Sequence, residues 1–383
     1  TNLLNLVGCA LLCAVHCCYA LTDFITDKLK FFQLNLRKMQ IAVIGGGVSG
    51  ISSAIQILEY LKSTGSPVAV TVLSEAFSPN TTGDGSAGLW GPYLLGGTPT
   101  ERVHRWSKQM HDFLEQIWLS DDAGEAGVCL IPCLRLTTTA MDNEVFWKDI
   151  VYGCRQLTQR QLDELNVGRA NKYTQGMHFI TYTSEPVKLL PYLMKRFQAN
   201  GGKIVQQKVE NLQEFIAKSN YDVIINCTGL GSRECVQDVG MFPVRGQVTR
   251  VKANWLYCAL LDESDVGNYI IPNCESVVLG GTHQENDNNT QVCPNDKKFI
   301  INGCRKIVPG LEHAQHLFDW VGLRPGRDTL RLEAEKGGNK IVIHNYGHGG
   351  SGVTLAWGCA EDVLELLKNE LQARHLNVPK SKL

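Results

Sequence analysis

"IAVIGGGVSGISSAIQIL", residues 41–58, joins a short apolar run to three consecutive glycines and then to apolar residues at helical spacing. Gly45, Gly47 and Gly50 have the spacing G-x-G-x-x-G. After a strand and at the head of a helix, the first glycine permits the tight turn, the second lets backbone approach a pyrophosphate, and the third lets helix and strand pack closely. The helix N-terminus adds partial positive charge. Apolar residues continue at 51, 55, 58 and 61, and "VAVTVLS" (68–74) follows as a second strand, so the opening reads as a βαβ unit. Glu75 ends that strand, where a carboxylate accepts hydrogen bonds from ribose hydroxyls and repels a 2′-phosphate.

This is a dinucleotide site in its proper setting, but NAD and FAD share the fingerprint. The length of 383 residues exceeds one simple core and suits two domains, which we expect to be interleaved. A hydrophobic fraction of 44%, a charged fraction of 20% and a net charge of −1 give no electrostatic footprint for nucleic acid. The 14 cysteines are scattered without zinc spacing, so we expect no metal and read most of them as buried small apolar residues in a reducing compartment. Sequons at Asn80, Asn226 and Asn288 are attributed to chance, the first two lying beside motifs expected to be buried.

Further along, "TERVHRWSKQMHDFLEQIWL" (100–119) is an amphipathic helix on which His104 and His111 are expected to be solvated or capping. Residues 185–205 read as a helix, a glycine C-cap at Gly201 and Gly202, and a strand. "YDVIINCTGLGS" (221–232) is a buried strand entering a glycine turn. Between about 236 and 323 the pattern becomes short strands, expected to be antiparallel, with a polar and mobile loop "HQENDNNTQ" (283–291). "KIVIHNYG" (340–347) is another buried strand. It passes through "HGGSG" (348–352) into a helix, a junction that brings backbone and a helix N-terminus toward an electron-rich ligand.

The two ends carry conflicting signals. Residues 3–21 form an apolar run suited to a signal-peptide core and marginal for a membrane span, without a basic flank or a clean cleavage site. The last three residues, Ser381, Lys382 and Leu383, form the tripeptide read by the peroxisomal import receptor. With Met39 directly before the first strand, residues 1–38 are expected to be a non-native or dispensable extension. The protein is expected in the peroxisome rather than in a membrane.

"SPNTTGDGSAGLW" (78–90), "NCTGLGSR" (226–233), "FPVRGQV" (242–248), "YIIP" (269–272), "LGGT" (279–282), "VGLRP" (321–325) and "HNYGHGG" (344–350), together with the opening stretch, resemble the D-amino-acid oxidase family from Met39 to Leu383. The resemblance implies an α/β (α+β) architecture: a Rossmann-like FAD-binding domain (39–91, 187–239 and 324–383) interleaved with a mostly antiparallel substrate domain (92–186 and 240–323). It implies FAD as cofactor, with Val48 and Ser49 at the pyrophosphate turn and Glu75 at the ribose. Thr81, Thr82, Ala87, Gly88 and Leu89 surround the phosphates and isoalloxazine, Val209 and Thr228 lie nearer the adenine, and Gly349, Gly352, Val353 and Thr354 surround the flavin pyrimidine. For Thr81 and Thr82 a self-capping turn is the competing reading.

The implied reaction is oxidative deamination of a D-amino acid by hydride transfer to flavin N5, giving a 2-oxo acid and ammonia, with dioxygen reduced to hydrogen peroxide. The cofactor carries that chemistry, and the protein positions and desolvates. By resemblance Arg324 clamps the substrate carboxylate through two charge-assisted hydrogen bonds, Tyr269 supplies a hydroxyl to the same group, and the Gly350 carbonyl receives the amine. The competing readings are a surface charge for Arg324 and a core aromatic for Tyr269. Where a second, lid tyrosine is common in the family, this chain has Asp265.

For substrate class the motifs divide. D-aspartate oxidases carry an arginine after "GGT", and here "GGTHQ" has His283; "ALLDESD" (259–265) places three acids where another arginine would serve. "HGGSG" and "AGLWGPY" (87–93) look like the neutral-substrate branch, while "GLGSR", "FPVRGQV" and "GGT" look like the D-aspartate branch. Ser351 stands where an aromatic is usual, as neutral spacing or as a small change in pocket volume. Neutral D-amino acids are the preferred reading and D-aspartate or D-glutamate the alternative. Oligomeric state is not encoded in any of these motifs, and a homodimer stays open.

Overall fold

The structure, a computed structural model, describes residues 38–374 apart from 94, 141–144, 265–266 and 336–338. The N-terminal apolar run, Asp265 and the Ser381–Lys382–Leu383 tripeptide therefore lie outside the described residues.

The described strands form two sheets. The first has the order β14 (Arg331–Ala334), β15 (Ile341–Tyr346), β7 (Val223–Asn226), β1 (Met39–Ile44), β2 (Val68–Ser74) and β6 (Lys203–Gln206). Five of these run parallel, and β14 closes one edge antiparallel to β15. β1 lies in the interior of this sheet, with Ile41 opposite both Val70 and Val223. Sheets with both faces covered need strands that are apolar throughout, and Ile41, Ala42 and Val43 are fully buried.

Helix α1 (Val48–Ser63) returns from β1 and packs against α3 (Pro186–Ala199) and α5 (Gly352–Ala373). α5 also holds α2 (Thr100–Trp118), where Phe113 stacks on Trp357 with centroids 3.6 Å apart. Every apolar position of the α2 stripe, at 103, 106, 110, 113, 114 and 117, is buried. Each such side chain contributes about 1.5–3 kcal/mol when taken from water.

The second sheet has the order β12 (Gln284–Glu285), β8 (Phe242–Lys252), β11 (Val277–Gly280), β10 (Tyr269–Pro272), β9 (Ala259–Asp262), β3 (Val128–Thr137), β5 (Gln175–Ser184) and β4 (Tyr152–Gln156), with β13 (Gln315–Gly326) also on β8. It is antiparallel as expected except where β3 meets β9 in parallel. Helix α4 (Pro294–Ile307) packs on β8 and β11. The long β8–β13 pairing carries Arg324 opposite Val244.

Two expectations are corrected here. His111 is neither solvated nor a cap: it is 2% exposed and lies against the rings of Trp90, Tyr152 and Tyr182. Four residues from Ser107 and three from Leu114, it shares the buried face, which is wider than the apolar stripe alone. His104 instead meets Asp149 at 2.9 Å. The loop 283–291 is tied down: Arg245, 1% exposed, pairs with Asp296 at 2.6 Å and donates to the carbonyls of Asn289 and Gln291. A buried guanidinium needs all its donors satisfied, and this loop supplies three of the acceptors, the Gln284 side-chain oxygen among them.

Asn80 is exposed, whereas Asn226 is fully buried. The ten described cysteines are free, five of them buried (Cys133, Cys227, Cys235, Cys304 and Cys359) and Cys274 exposed. No group of residues suited to a metal ion occurs among the described residues, and no described helix is long and apolar enough to cross a membrane.

Candidate active site

A cavity of about 1100 Å³ extends from the glycine turn between β1 and α1 to the inner strands of the second sheet. The three glycines meet different neighbours. Gly45 has φ +120°, and a Cβ there would sit 2.2 Å from the Cys227 carbonyl oxygen. A Cβ on Gly50 would lie 2.0 Å from the Gly45 carbonyl oxygen, so this glycine is required for packing and does not itself line the cavity. A Cβ on Gly47 would meet nothing within 4 Å: open space lies in front of the helix start. Gly47 is also the N-cap of α1, with no side-chain cap and no acid in the first turn. The free N–H groups of that turn are thus left for an anion from outside the chain.

Val48, Ser49, Glu75, Thr81, Thr82, Ala87, Gly88, Leu89 and Thr228 line the same cavity, as do Gly349, Gly352, Val353 and Thr354. Glu75 stands exposed at the end of β2, 4.0 Å from the Lys208 ammonium. The Thr81 hydroxyl donates to the buried Asp84 carboxylate at 2.6 Å, which is the self-capped turn anticipated as its competing reading. The Thr228 hydroxyl donates to Asn226 at 2.8 Å, and that of Thr354 to the Gly91 carbonyl at 3.1 Å. These hydroxyls hold the walls of the cavity in place.

Two expected residues lie elsewhere. Val209 packs on the cluster around Leu212 and Phe215 behind the first sheet and does not line the cavity. Ser351 is fully buried, and its hydroxyl donates to the Tyr93 carbonyl at 2.6 Å while accepting from the Tyr93 N–H at 2.5 Å. It pins backbone to backbone and leaves pocket volume to its neighbours.

At the inner end Arg324, Tyr269 and Gly350 all line the cavity. Arg324 donates to the Thr282 carbonyl at 3.1 Å, and its guanidinium lies flat over Gly246, where a Cβ would be 2.4 Å from Nη1. The glycine of "VRGQV" is what admits the arginine. The Tyr269 ring is admitted in the same way by Gly280, where a Cβ would fall 2.0 Å from Cζ. Burial holds the Tyr269 phenol above its ordinary value, while the neighbouring Arg324 charge pulls it down. The hydroxyl therefore keeps its proton at neutral pH and can donate.

His283 lines the cavity with both ring nitrogens engaged: Nδ1 is 3.0 Å from the Tyr93 hydroxyl and Nε2 is 3.4 Å from Glu285. Tyr93 was not singled out by sequence reasoning, although it closes the "AGLWGPY" motif. His348 was also missed. It is 3% exposed and lines the cavity, its Nε2 has no partner, and burial pushes its pKa down to about 4. An uncharged imidazole with an orphaned nitrogen fits a polar ligand atom beside it. Arg135, on β3, reaches the cavity paired with Glu263 at 2.6 Å.

A parallel sheet with its dinucleotide turn, opening into a cavity that ends at an arginine and a neutral tyrosine, defines a nucleotide-cofactor oxidoreductase acting on a small carboxylate. The model of the FAD dependent oxidoreductase family matches residues 40–366. The chain is 41% identical over 341 residues to a D-amino acid oxidase of Dugesia ryukyuensis, covering 87% of this chain and 98% of that one. It is 35% identical over 349 residues to a D-aspartate oxidase of Homo sapiens, covering 90% and 99%. A solved glycine oxidase from Geobacillus kaustophilus shares the fold with a TM-score of 0.70 at 17% identity, covering 90% of this chain and all of that one. This chain belongs to the D-amino-acid oxidase family of FAD-dependent oxidoreductases. The open space before Gly47, the uncapped helix start and the orphaned His348 nitrogen fit the FAD of that family.

Proposed function

We propose that this protein oxidatively deaminates D-amino acids, neutral ones in preference to D-aspartate or D-glutamate, to 2-oxo acids and ammonia with dioxygen reduced to hydrogen peroxide. When bound, FAD would supply the two-electron acceptor for the substrate and the route of those electrons to dioxygen. The chain's own residues bind and orient. Arg324 takes the substrate carboxylate in a bidentate grip, and the protonated Tyr269 hydroxyl donates to the same group. Gly350, without a side chain, leaves room for the amine at its carbonyl. Leu89, Val248, Ile271 and Trp320 make the adjoining wall apolar and keep water from the reacting carbon.

The preference for neutral side chains is carried by one observation: His283, at the position where a cation would read an acidic side chain, is already held between Tyr93 and Glu285. Arg135, also on the cavity lining, is paired through Nε with Glu263, while its Nη1 has no partner. The alternative, D-aspartate oxidation, has support from the 35% identity to the human D-aspartate oxidase. Comparing kcat/KM for D-alanine and D-aspartate on purified flavoprotein tests the reading, and a strong preference for D-aspartate would overturn it. Import into peroxisomes through Ser381, Lys382 and Leu383 belongs to the same proposal and rests on that tripeptide. Relocation of a reporter fused ahead of it is the test. Association as a homodimer is open to sedimentation measurements.

A further inference from the structure

Cys129, on β3, and Cys274, in the turn between β10 and β11, are 145 positions apart in the chain, yet their sulfurs lie 3.3 Å from each other. Both are free, Cys274 is exposed and Cys129 partly so. We propose that Cys129 and Cys274 form a peroxide-responsive thiol pair, a reversible disulfide site that fastens β3 to the β10–β11 turn. The hydrogen bond between the two thiols, with help from the Lys188 ammonium and against burial, lowers the Cys129 thiol from its ordinary value, while the same bond raises Cys274. Cys129 is thus the nucleophile and Cys274 the resolving thiol.

The chemistry balances with hydrogen peroxide as the only oxidant. The Cys129 thiolate attacks one peroxide oxygen, the O–O bond breaks, and the departing hydroxide takes the Cys274 proton as water. The Cys274 thiolate then displaces hydroxide from the Cys129 sulfenic acid; an S–S bond forms, and the second hydroxide leaves as water with a solvent proton. Two thiols are oxidised and one peroxide is reduced. As a source of peroxide inside the cell, the site rests on the oxidase reading above.

The turn that would be fastened also supports the cavity wall. Asn273 donates to the Ala87 carbonyl at 3.0 Å, and Arg250, 3% exposed, ties Asn273, Ser276 and the Ser86 carbonyl together. A bond at Cys274 therefore restrains the segment that carries Ala87.

The test uses the flavin-loaded protein in three arms: untreated, with reagent hydrogen peroxide, and turning over D-alanine. Peptide mapping after alkylation is expected to show a Cys129–Cys274 cross-link, 2 Da lighter than the two thiols, in the peroxide arm. The link should vanish with dithiothreitol and be missing in Cys274→Ser and Cys129→Ser. The oxidised wild type should also unfold at a higher temperature, with no such change in Cys274→Ser. Thiols that stay alkylatable, or that over-oxidise singly without a cross-link, would overturn the proposal. A cross-link with reagent peroxide but not with D-alanine supports the thiol pair and counts against the substrate reading alone.

Discussion

The Tyr93 hydroxyl lies 3.0 Å from Nδ1 of His283, and the two rings meet edge to face with centroids 6.2 Å apart. The contact ties the "AGLWGPY" segment of the first half of the chain to the "GGTHQ" segment. A histidine so engaged offers no free donor pair to a carboxylate.

Replacing His283 by arginine should therefore open the site to acidic substrates. A charge-assisted hydrogen bond contributes ~1.5–3 kcal/mol, so kcat/KM for D-aspartate relative to D-alanine is expected to rise about tenfold or more. An unchanged ratio in steady-state kinetics would place the side-chain subsite away from residue 283.

Arg324→Lys keeps a positive charge but loses the fork that grips both carboxylate oxygens. Loss of ~1.5–3 kcal/mol predicts a fall of roughly 10–100-fold in kcat/KM for D-alanine. The flavin spectrum should be unchanged. Equal turnover in the variant and the wild type would remove Arg324 from substrate binding.

The glycine turn separates packing from cofactor binding. In Gly47→Ala the added carbon meets only open space, so urea denaturation of the apoprotein should be unaltered while FAD affinity drops. In Gly50→Ala the carbon meets the Gly45 carbonyl oxygen at 2.0 Å, and both stability and flavin content should fall. A Gly47 variant that binds FAD as tightly as the parent would show that nothing approaches that backbone.

His111 and His348 are both held neutral by burial, with pKa pushed from 6.5 down to about 4. The unfolded chain binds these protons first, so folding stability is full above pH 6.5 and declines as pH falls toward 4. A shift of this size corresponds to about 3 kcal/mol for each histidine. His111→Phe keeps the ring among Trp90, Tyr152 and Tyr182 and removes one titration. Denaturant midpoints between pH 7 and pH 4 should then fall less steeply than in the wild type, and parallel profiles would exclude His111 as a source of the acid sensitivity.

Local patterns were legible because the physics behind them is local. The dinucleotide turn, the apolar strands around it and the α2 stripe depend on spacing within a few residues. Arg324, Tyr269 and Gly350 reach the cavity from three separate segments, and short motifs marked all three. His111 was misread because a one-dimensional stripe underestimates how wide a helix face becomes when β4 and β5 cover it. Val209, put near the adenine by resemblance, packs behind the first sheet, because a matched motif does not fix which way a neighbouring side chain turns.

By itself, then, the sequence determined the βαβ start, since that rests on contiguous residues with one workable geometry, whereas FAD and a carboxylate grip at Arg324 and Tyr269 were implied by the resemblance of several separate motifs. Only the tertiary structure decided the partnerships made over long separations. Tyr93 engages His283, Glu263 neutralises Arg135, Arg245 ties down a loop that composition made look mobile, and Cys129 meets Cys274. Whether a charge or a thiol is available to a ligand depends on what the fold brings against it, and no local pattern records that neighbour.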